Sequence, residues 1–315
     1  MPVHSPSLAA HNAIPVIDLK SGDRAAVVAQ IRQACEEIGF FVVAGHCVPE
    51  DLVDRMAAVS RAQFDRPEAE KRRVAEVGEV IGGFSYVPLL HERLAATSGE
   101  ATPGDLKETL DYGPGFPAGP WPEELAQLKA VWLAYYQAMS GFCGELRALF
   151  ALALGLEADF FDDKFIDHLS SIRVINYPAP TAPFQPGQLR AGAHRDYGFL
   201  TVLRSEDKPG GLEVRNRAGQ WVAPPALPGT FVVNIGDALM RWTNDHWVST
   251  PHRVVPPPPE DWQMSRRQSI AFFHNPARDA LIECLPGFGD GTARYAPITY
   301  GAYGDLRYRQ ARARN

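Results

Sequence analysis

Cysteine is scarce in this chain: Cys35, Cys47, Cys143 and Cys284 stand far apart, with no Cys-x-x-Cys pair among 315 residues. That spacing excludes a dense disulfide frame and a cysteine-built zinc site, and it leaves the four as small buried hydrophobes. No stretch approaches 18 apolar residues, so no membrane-spanning helix is expected. The opening MPVHSPSLAAHNAIPVIDL lacks the charged and apolar regions of a signal peptide. Basic residues are outnumbered, 31 Lys and Arg against 37 Asp and Glu, which argues against a nucleic-acid surface. The basic tail LRYRQARARN reads as a solvated end. There is no glycine-rich phosphate loop, no strand-helix alternation of a doubly wound sheet and no internal repeat, which disfavours nucleotide-binding folds. The expectation is a soluble cytoplasmic protein, without nucleic acid or membrane as partner.

What is present is an ordinary globular composition, 45% hydrophobic and 22% charged, able to bury a sizeable core in one large domain with attached helices or in two domains. Apolar residues at three and four spacing predict a helix over Asp23–Ile38 and another over Pro49–Phe64, with a short buried strand, GFFVVAGH, between them. From Val80 to Pro120 the chain is rich in Gly, Pro and Thr and reads as a long irregular connection. The longest helical signal runs from Glu123 to about Leu154, with one apolar face from Leu125 through Trp132, Met139 and Leu146 to Phe150. After Ser171 short β-rich runs alternate with Gly, Pro, Asn and Asp clusters, the signature of a sandwich or jelly roll. The expected division is an N-terminal region 1–120, a bracing helix and connection 121–170, a β-rich catalytic core 171–280 and a C-terminal segment 281–315.

In GAHRDYGFLTVL, a histidine and an aspartate stand two apart at the head of a strand-like run. Alternate residues of an extended chain share a side, so His194 and Asp196 would converge on one ion. Nine histidines and 37 acids make one such triplet an expected accident, so the pair needs a third ligand. His252, in STPHRVV, heads another strand-like run and is the best candidate. Two imidazoles and one carboxylate leave three positions open on a metal, the arrangement of non-haem iron(II) oxygenases. In SRRQSIAFFHNP, Arg267 and Ser269 alternate on one face. A buried arginine needs an anion, either an acid of this protein or a bound carboxylate gripped by two parallel bonds.

Taken in order, IPVIDL, GFFVVAGH, DLKETLDYG, HRDYGFLTVL, VVNIGDALMRWTND, STPHRV and RQSIAFFHNP resemble segments of the iron(II)- and 2-oxoglutarate-dependent dioxygenases of the isopenicillin N synthase-like superfamily, and the likeness spans nearly the whole chain. The resemblance implies a mainly β fold with flanking α, a double-stranded β-helix (a distorted jelly roll) braced by the long helix. It implies Fe(II) on His194, Asp196 and His252, with 2-oxoglutarate and O2 as co-substrates. It also implies that Arg267 and Ser269 grip the distal carboxylate of 2-oxoglutarate, with the hydroxyl of Tyr177 helping. The reaction implied couples oxidative decarboxylation to hydroxylation, desaturation or ring closure of a small organic molecule. An oxidase of the same fold that does not consume 2-oxoglutarate uses a comparable Arg-x-Ser pair for its own substrate and remains open at this point, as does an inactive jelly-roll binding module. Phe84, Tyr86, Tyr112 and the segment Tyr295–Tyr303 are expected at the substrate mouth, and Arg195 is expected to point away from the metal.

Overall fold

The computed structural model describes residues 14–75, 84–99, 102–113, 121, 123–289 and 292–312. Two sheets face one another. The larger is built, in spatial order, from β1 (Val16–Asp18), β2 (Phe40–Ala44), β10 (Phe231–Ile235), β7 (Leu200–Ser205), β12 (Arg267–His274), β5 (Ser171–Tyr177), β4 (Glu108–Tyr112) and β3 (Ser85–Val87). The smaller runs β6 (Ala191–His194), β11 (His252–Val254), β8 (Leu212–Arg215) and β9 (Trp221–Val222). Apart from the parallel pair β1–β2, the neighbours within both sheets are antiparallel. This is the jelly-roll architecture expected from the spacing of the β-rich runs.

The long helix α4 (Ala126–Ala153) follows a 3-10 turn at Glu123–Leu125 and lies behind the large sheet. Its buried residues Trp132, Tyr135, Met139, Phe142, Leu146, Leu149 and Phe150 recur at three and four, so one stripe faces inward over its length. They share a core with Ile172 and Val174 of β5 and Ile270 and Phe272 of β12. Strand alternation then sends Ile175, Tyr177, Arg267 and Ser269 to the opposite face, toward the small sheet. There a second apolar cluster, Phe40, Val42, Leu212, Val214 and Val232, closes one end of the space between the sheets.

Helices α1 (Arg24–Glu37) and α2 (Glu50–Phe64) match the helical periodicity to within two residues at their ends, and Asp23 caps α1 by accepting the Ala26 N–H at 2.9 Å. Between Val80 and Pro120 the structure departs from expectation: β3, a 3-10 turn at Leu94–Ser98 and β4 fall inside the supposed irregular connection. The alternation that marks a strand is hidden in β4, because Glu108 and Thr109 are buried as fully as Leu110. Residues 76–83 and 114–120 of that connection, and His4 and His11, lie outside the described residues. The end of the chain, read as a solvated tail, forms α6 (Tyr300–Arg312) as far as residue 312.

Candidate functional site

His194 closes β6 rather than heading a strand, and Asp196 follows in a loop. Tertiary anchoring, not strand alternation, brings the carboxylate round. The loop's carbonyls are held by the start of α5 (Asp237–Trp242): the Asp237 N–H donates to Asp196 O at 2.8 Å and the Ala238 N–H to Gly198 O at 3.1 Å. This approach is close enough that a Cβ on Gly236 would sit 2.3 Å from Gly198 O, so IGD needs glycine here. His252 opens β11 and stands directly opposite His194 in the β6–β11 pair.

Among the described residues, His194, Asp196 and His252 form the one cluster of three metal-ligating side chains, with their donor atoms within 4.8 Å of one another. Asp196 Oδ1 lies 3.8 Å from His194 Nε2 and 3.7 Å from His252 Nε2. The far side of each group is occupied. His194 Nδ1 is 2.8 Å from Gly192 O and His252 Nδ1 is 3.1 Å from Thr250 O, so Nδ1–H donates to a carbonyl and the Nε2 lone pair faces the cluster. Asp196 Oδ2 accepts from Thr201 Oγ1 at 2.6 Å and Asn234 Nδ2 at 2.8 Å, which leaves Oδ1 turned inward. Burial, and then the adjacent His252 ring, keep His194 below its ordinary pKa and so neutral. Burial alone would raise the Asp196 carboxyl; the two imidazoles and the bonds from Asn234 and Thr201 outweigh it and hold it down. Two inward lone pairs beside an ionised carboxylate make a donor set suited to a divalent cation.

The inner face of the large sheet carries the residues of the expected clamp. Arg267 and Ser269 are each 2% exposed, and Arg267 stands in register with Tyr177. The Arg267 guanidinium lies 5.2 Å from the Tyr177 ring centroid, and Arg190 lies 5.9 Å from it. Arg190 is fully buried and donates through Nη1 and Nη2 to the carbonyls of Pro178, Pro209, Gly210 and Ser265, while its Nε has no hydrogen-bond partner among the described residues. Arg267 donates through Nη2 to Ser205 Oγ and Glu206 O, while its Nε is buried with no hydrogen-bond partner among the described residues. A buried guanidinium with a spare N–H fits a carboxylate and is costly otherwise.

Residues 14–134 match the model of the non-haem dioxygenase N-terminal region (in morphine synthesis), and residues 169–276 match that of the 2OG-Fe(II) oxygenase superfamily. Validamycin A dioxygenase of Streptomyces hygroscopicus subsp. limoneus is 32% identical, over 89% of this chain and 81% of that protein. The chain belongs to the iron(II)- and 2-oxoglutarate-dependent oxygenases. A homoarginine-6-hydroxylase of Oryza sativa subsp. japonica is 31% identical over 92% of this chain and 95% of its own length. The crystal structure of a full-length Neurospora crassa protein in complex with alpha-KG superposes with a TM-score of 0.81 at 30% identity, covering 93% of this chain and 95% of that one. The cofactor is Fe(II), with 2-oxoglutarate and O2 as co-substrates.

Two residues that bond the expected site groups, Thr201 and Ser205, escaped the sequence reading. Thr201 and Ser205 lie on one face of β7, four apart, so alternation from Leu203 would have found both. Asn234 holds Asp196. Asn176 is instead turned to the far side of the sheet, donating to Glu108 Oε1 at 2.8 Å. Phe84, Tyr86 and Tyr112 do not frame the mouth: they are buried in the core behind the large sheet, where Phe84 and Tyr112 pack on Trp121. At the C-terminal side, the Tyr303 hydroxyl donates to Asp237 Oδ2 at 2.8 Å, and Arg307 of α6 stacks 4.5 Å from the ring of Tyr197, the neighbour of Asp196. Arg195, between two cluster residues, is exposed, as expected, although a loop rather than a strand turns it outward. Arg195→Ala should therefore keep iron binding within about fivefold, an effect near 1 kcal/mol at most. Metal analysis showing a loss as deep as that of Asp196→Ala would contradict the observed loop.

Proposed function

We propose that His194, Asp196 and His252 hold the iron and that Arg267 and Ser269, with Tyr177, take the distal carboxylate of 2-oxoglutarate, in a cytoplasmic monomer that hydroxylates a small polar molecule. The observation that carries the assignment is a preset Nε2, Nε2, Oδ1 donor set in a fold whose large sheet also buries Arg267 with an unspent N–H on its inner face. Fe(II) bound there supplies the redox chemistry that couples decarboxylation of 2-oxoglutarate to oxidation of the substrate.

The chain's own residues bind, orient and exclude water. Gly192 O and Thr250 O fix the histidine tautomers, and Thr201 and Asn234 fix the carboxylate rotamer. Arg267 sets the orientation of the co-substrate by gripping its far end, so its reacting end is delivered to the metal side. Tyr177, Ala191 and Val254, with Leu94 and Ile175 packed on them, form an apolar sleeve along that path and limit access of bulk water. Farther along the inner face, Arg173, bonded to Asp111 and Glu92, remains partly exposed. That polar wall, and the names of the two curated relatives, a dioxygenase of validamycin A and a hydroxylase of homoarginine, support a polar substrate. The acidic net charge supports a role without nucleic acid.

A panel of small polar molecules tested for stimulated release of succinate decides the reading. One compound should raise succinate formation well above the rate without substrate, with O2 consumed in step. Oxidation of a substrate with O2 uptake but no succinate would instead place the chain with oxidases that spend the Arg267–Ser269 pair on the substrate.

A further inference from the structure

Asp105 and Lys107, in DLKETLDYG, are buried to within 2% and 4% of full cover and belong to neither the donor cluster nor the clamp. Asp105 accepts the Gly192 N–H on Oδ1 and the Leu94 N–H on Oδ2, both at 3.0 Å. Gly192 is also the residue whose carbonyl accepts from His194 Nδ1. A carboxylate is thus linked to the imidazole through one residue. The turn Leu94–Ser98 lies directly on β6: a Cβ on Gly192 would meet Ala95 N at 2.6 Å and Ala95 Cβ at 2.8 Å.

Lys107 stands behind this link. Its Nζ is 3.6 Å from Asp105 Oδ2 and 2.9 Å from Glu92 Oε2. Glu108 pairs with Asn176 and Tyr177 pairs with Arg267, so Lys107 falls beside Tyr177 on the inner face. Burial raises the Asp105 carboxyl above its ordinary range, with Lys107 and the two N–H donors working against it. Buried ion pairs generally add little net stability, because desolvation offsets their attraction. What such a pair does well is hold one geometry, since every alternative leaves a buried charge unmatched.

We infer that Asp105, matched by Lys107, is a positioning residue for the metal centre: it fixes the Gly192 carbonyl that orients His194 and seats the Leu94–Ser98 turn on the metal-bearing strand. The inference rests on His194 being a ligand, so its test includes a control for that reading.

The probe is Co(II), titrated into the metal-stripped full-length protein and followed by its visible absorption bands. Asp105→Asn keeps one acceptor, turns an NH2 onto a backbone N–H and removes the charge facing Lys107; it should weaken Co(II) about 10- to 100-fold, the usual effect of losing an outer partner of a ligand. Lys71→Met breaks another buried pair, Lys71–Glu108 at 2.7 Å, on the far face of the sheet. It should lower thermal stability yet leave Co(II) affinity within about twofold. Wild-type affinity in Asp105→Asn overturns the inference, as does an equal loss in both variants, which would mark a general effect of stability. If Asp105→Asn does not fold, Asp105→Glu takes its place: it keeps the charge facing Lys107 but displaces the carboxylate from the Gly192 N–H, with the same expected loss and the same overturning result. His252→Ala separates the two layers: loss of Co(II) there with an unchanged Asp105→Asn overturns only the positioning role, whereas retained tight binding overturns the ligand assignment beneath it.

Discussion

Replacing His252 with alanine should abolish tight iron binding and turnover while the protein stays folded. The three proposed donors are the one such cluster among the described residues, and removing an imidazole leaves a histidine and a carboxylate with no nearby substitute. The fold should survive because the cost is local. The ring packs edge-on against Phe40 at 5.3 Å and bonds one carbonyl, so truncation costs on the order of 1–3 kcal/mol against a typical domain stability of about 5–15 kcal/mol. The check is metal content after dialysis, alongside a thermal melt. A folded His252→Ala protein that keeps one tightly held iron per chain would refute the assignment.

Replacing Arg267 with alanine should weaken 2-oxoglutarate by roughly tenfold to a few thousandfold, since each charge-assisted bond contributes on the order of 1.5–3 kcal/mol. The structure gives the loss two further parts: Ser205 loses its donor, and the Tyr177 ring loses one of the two guanidinium groups beside it. Arg267→Lys keeps charge but not the fork and should fall between wild type and alanine. Ser269→Ala removes only a hydroxyl and should cost about 1 kcal/mol, or about fivefold. Titration of 2-oxoglutarate into the anaerobic iron complex, followed by its metal-to-ligand absorption, measures all three. Unchanged 2-oxoglutarate affinity in Arg267→Ala, with lost affinity for the organic substrate, would transfer the clamp to the substrate.

That Arg267 and Ser269 share a face was legible from strand periodicity alone, whereas their role as a clamp rested on the family resemblance, and joining His252 to His194 and Asp196 needed a residue far along the chain. The pair His194 and Asp196 was found through the same rule, although the turn between them, shaped by α5, is what delivers Asp196. The partners that orient these groups are peptide carbonyls and side chains from distant strands, and nothing local in GAHRD points to Asn234, Thr250 or Asp105. The inner row on β4 was illegible for another reason. Lys107, Thr109 and Asp111 resemble a loop in composition, and only their place beside a paired strand reveals them as a wall. Phe84, Tyr86 and Tyr112 were placed on the wrong side because an aromatic residue in a short strand carries no mark of which face holds the core.

His194 and His252 stand on the small sheet, while Asp196 is fastened by Thr201 and Asn234 to the large one. A cation shared by the three, as proposed, would therefore act as a rivet between the two sheets. It resembles a disulfide in joining distant parts of the chain, but it is reversible, and its strength depends on how much metal is free in solution. The stabilisation would grow with the logarithm of that concentration, reaching about 2.7 kcal/mol at a hundred times the dissociation constant. Iron starvation would then idle the enzyme and also loosen its two halves, tying the lifetime of the protein to the supply of the metal it works with.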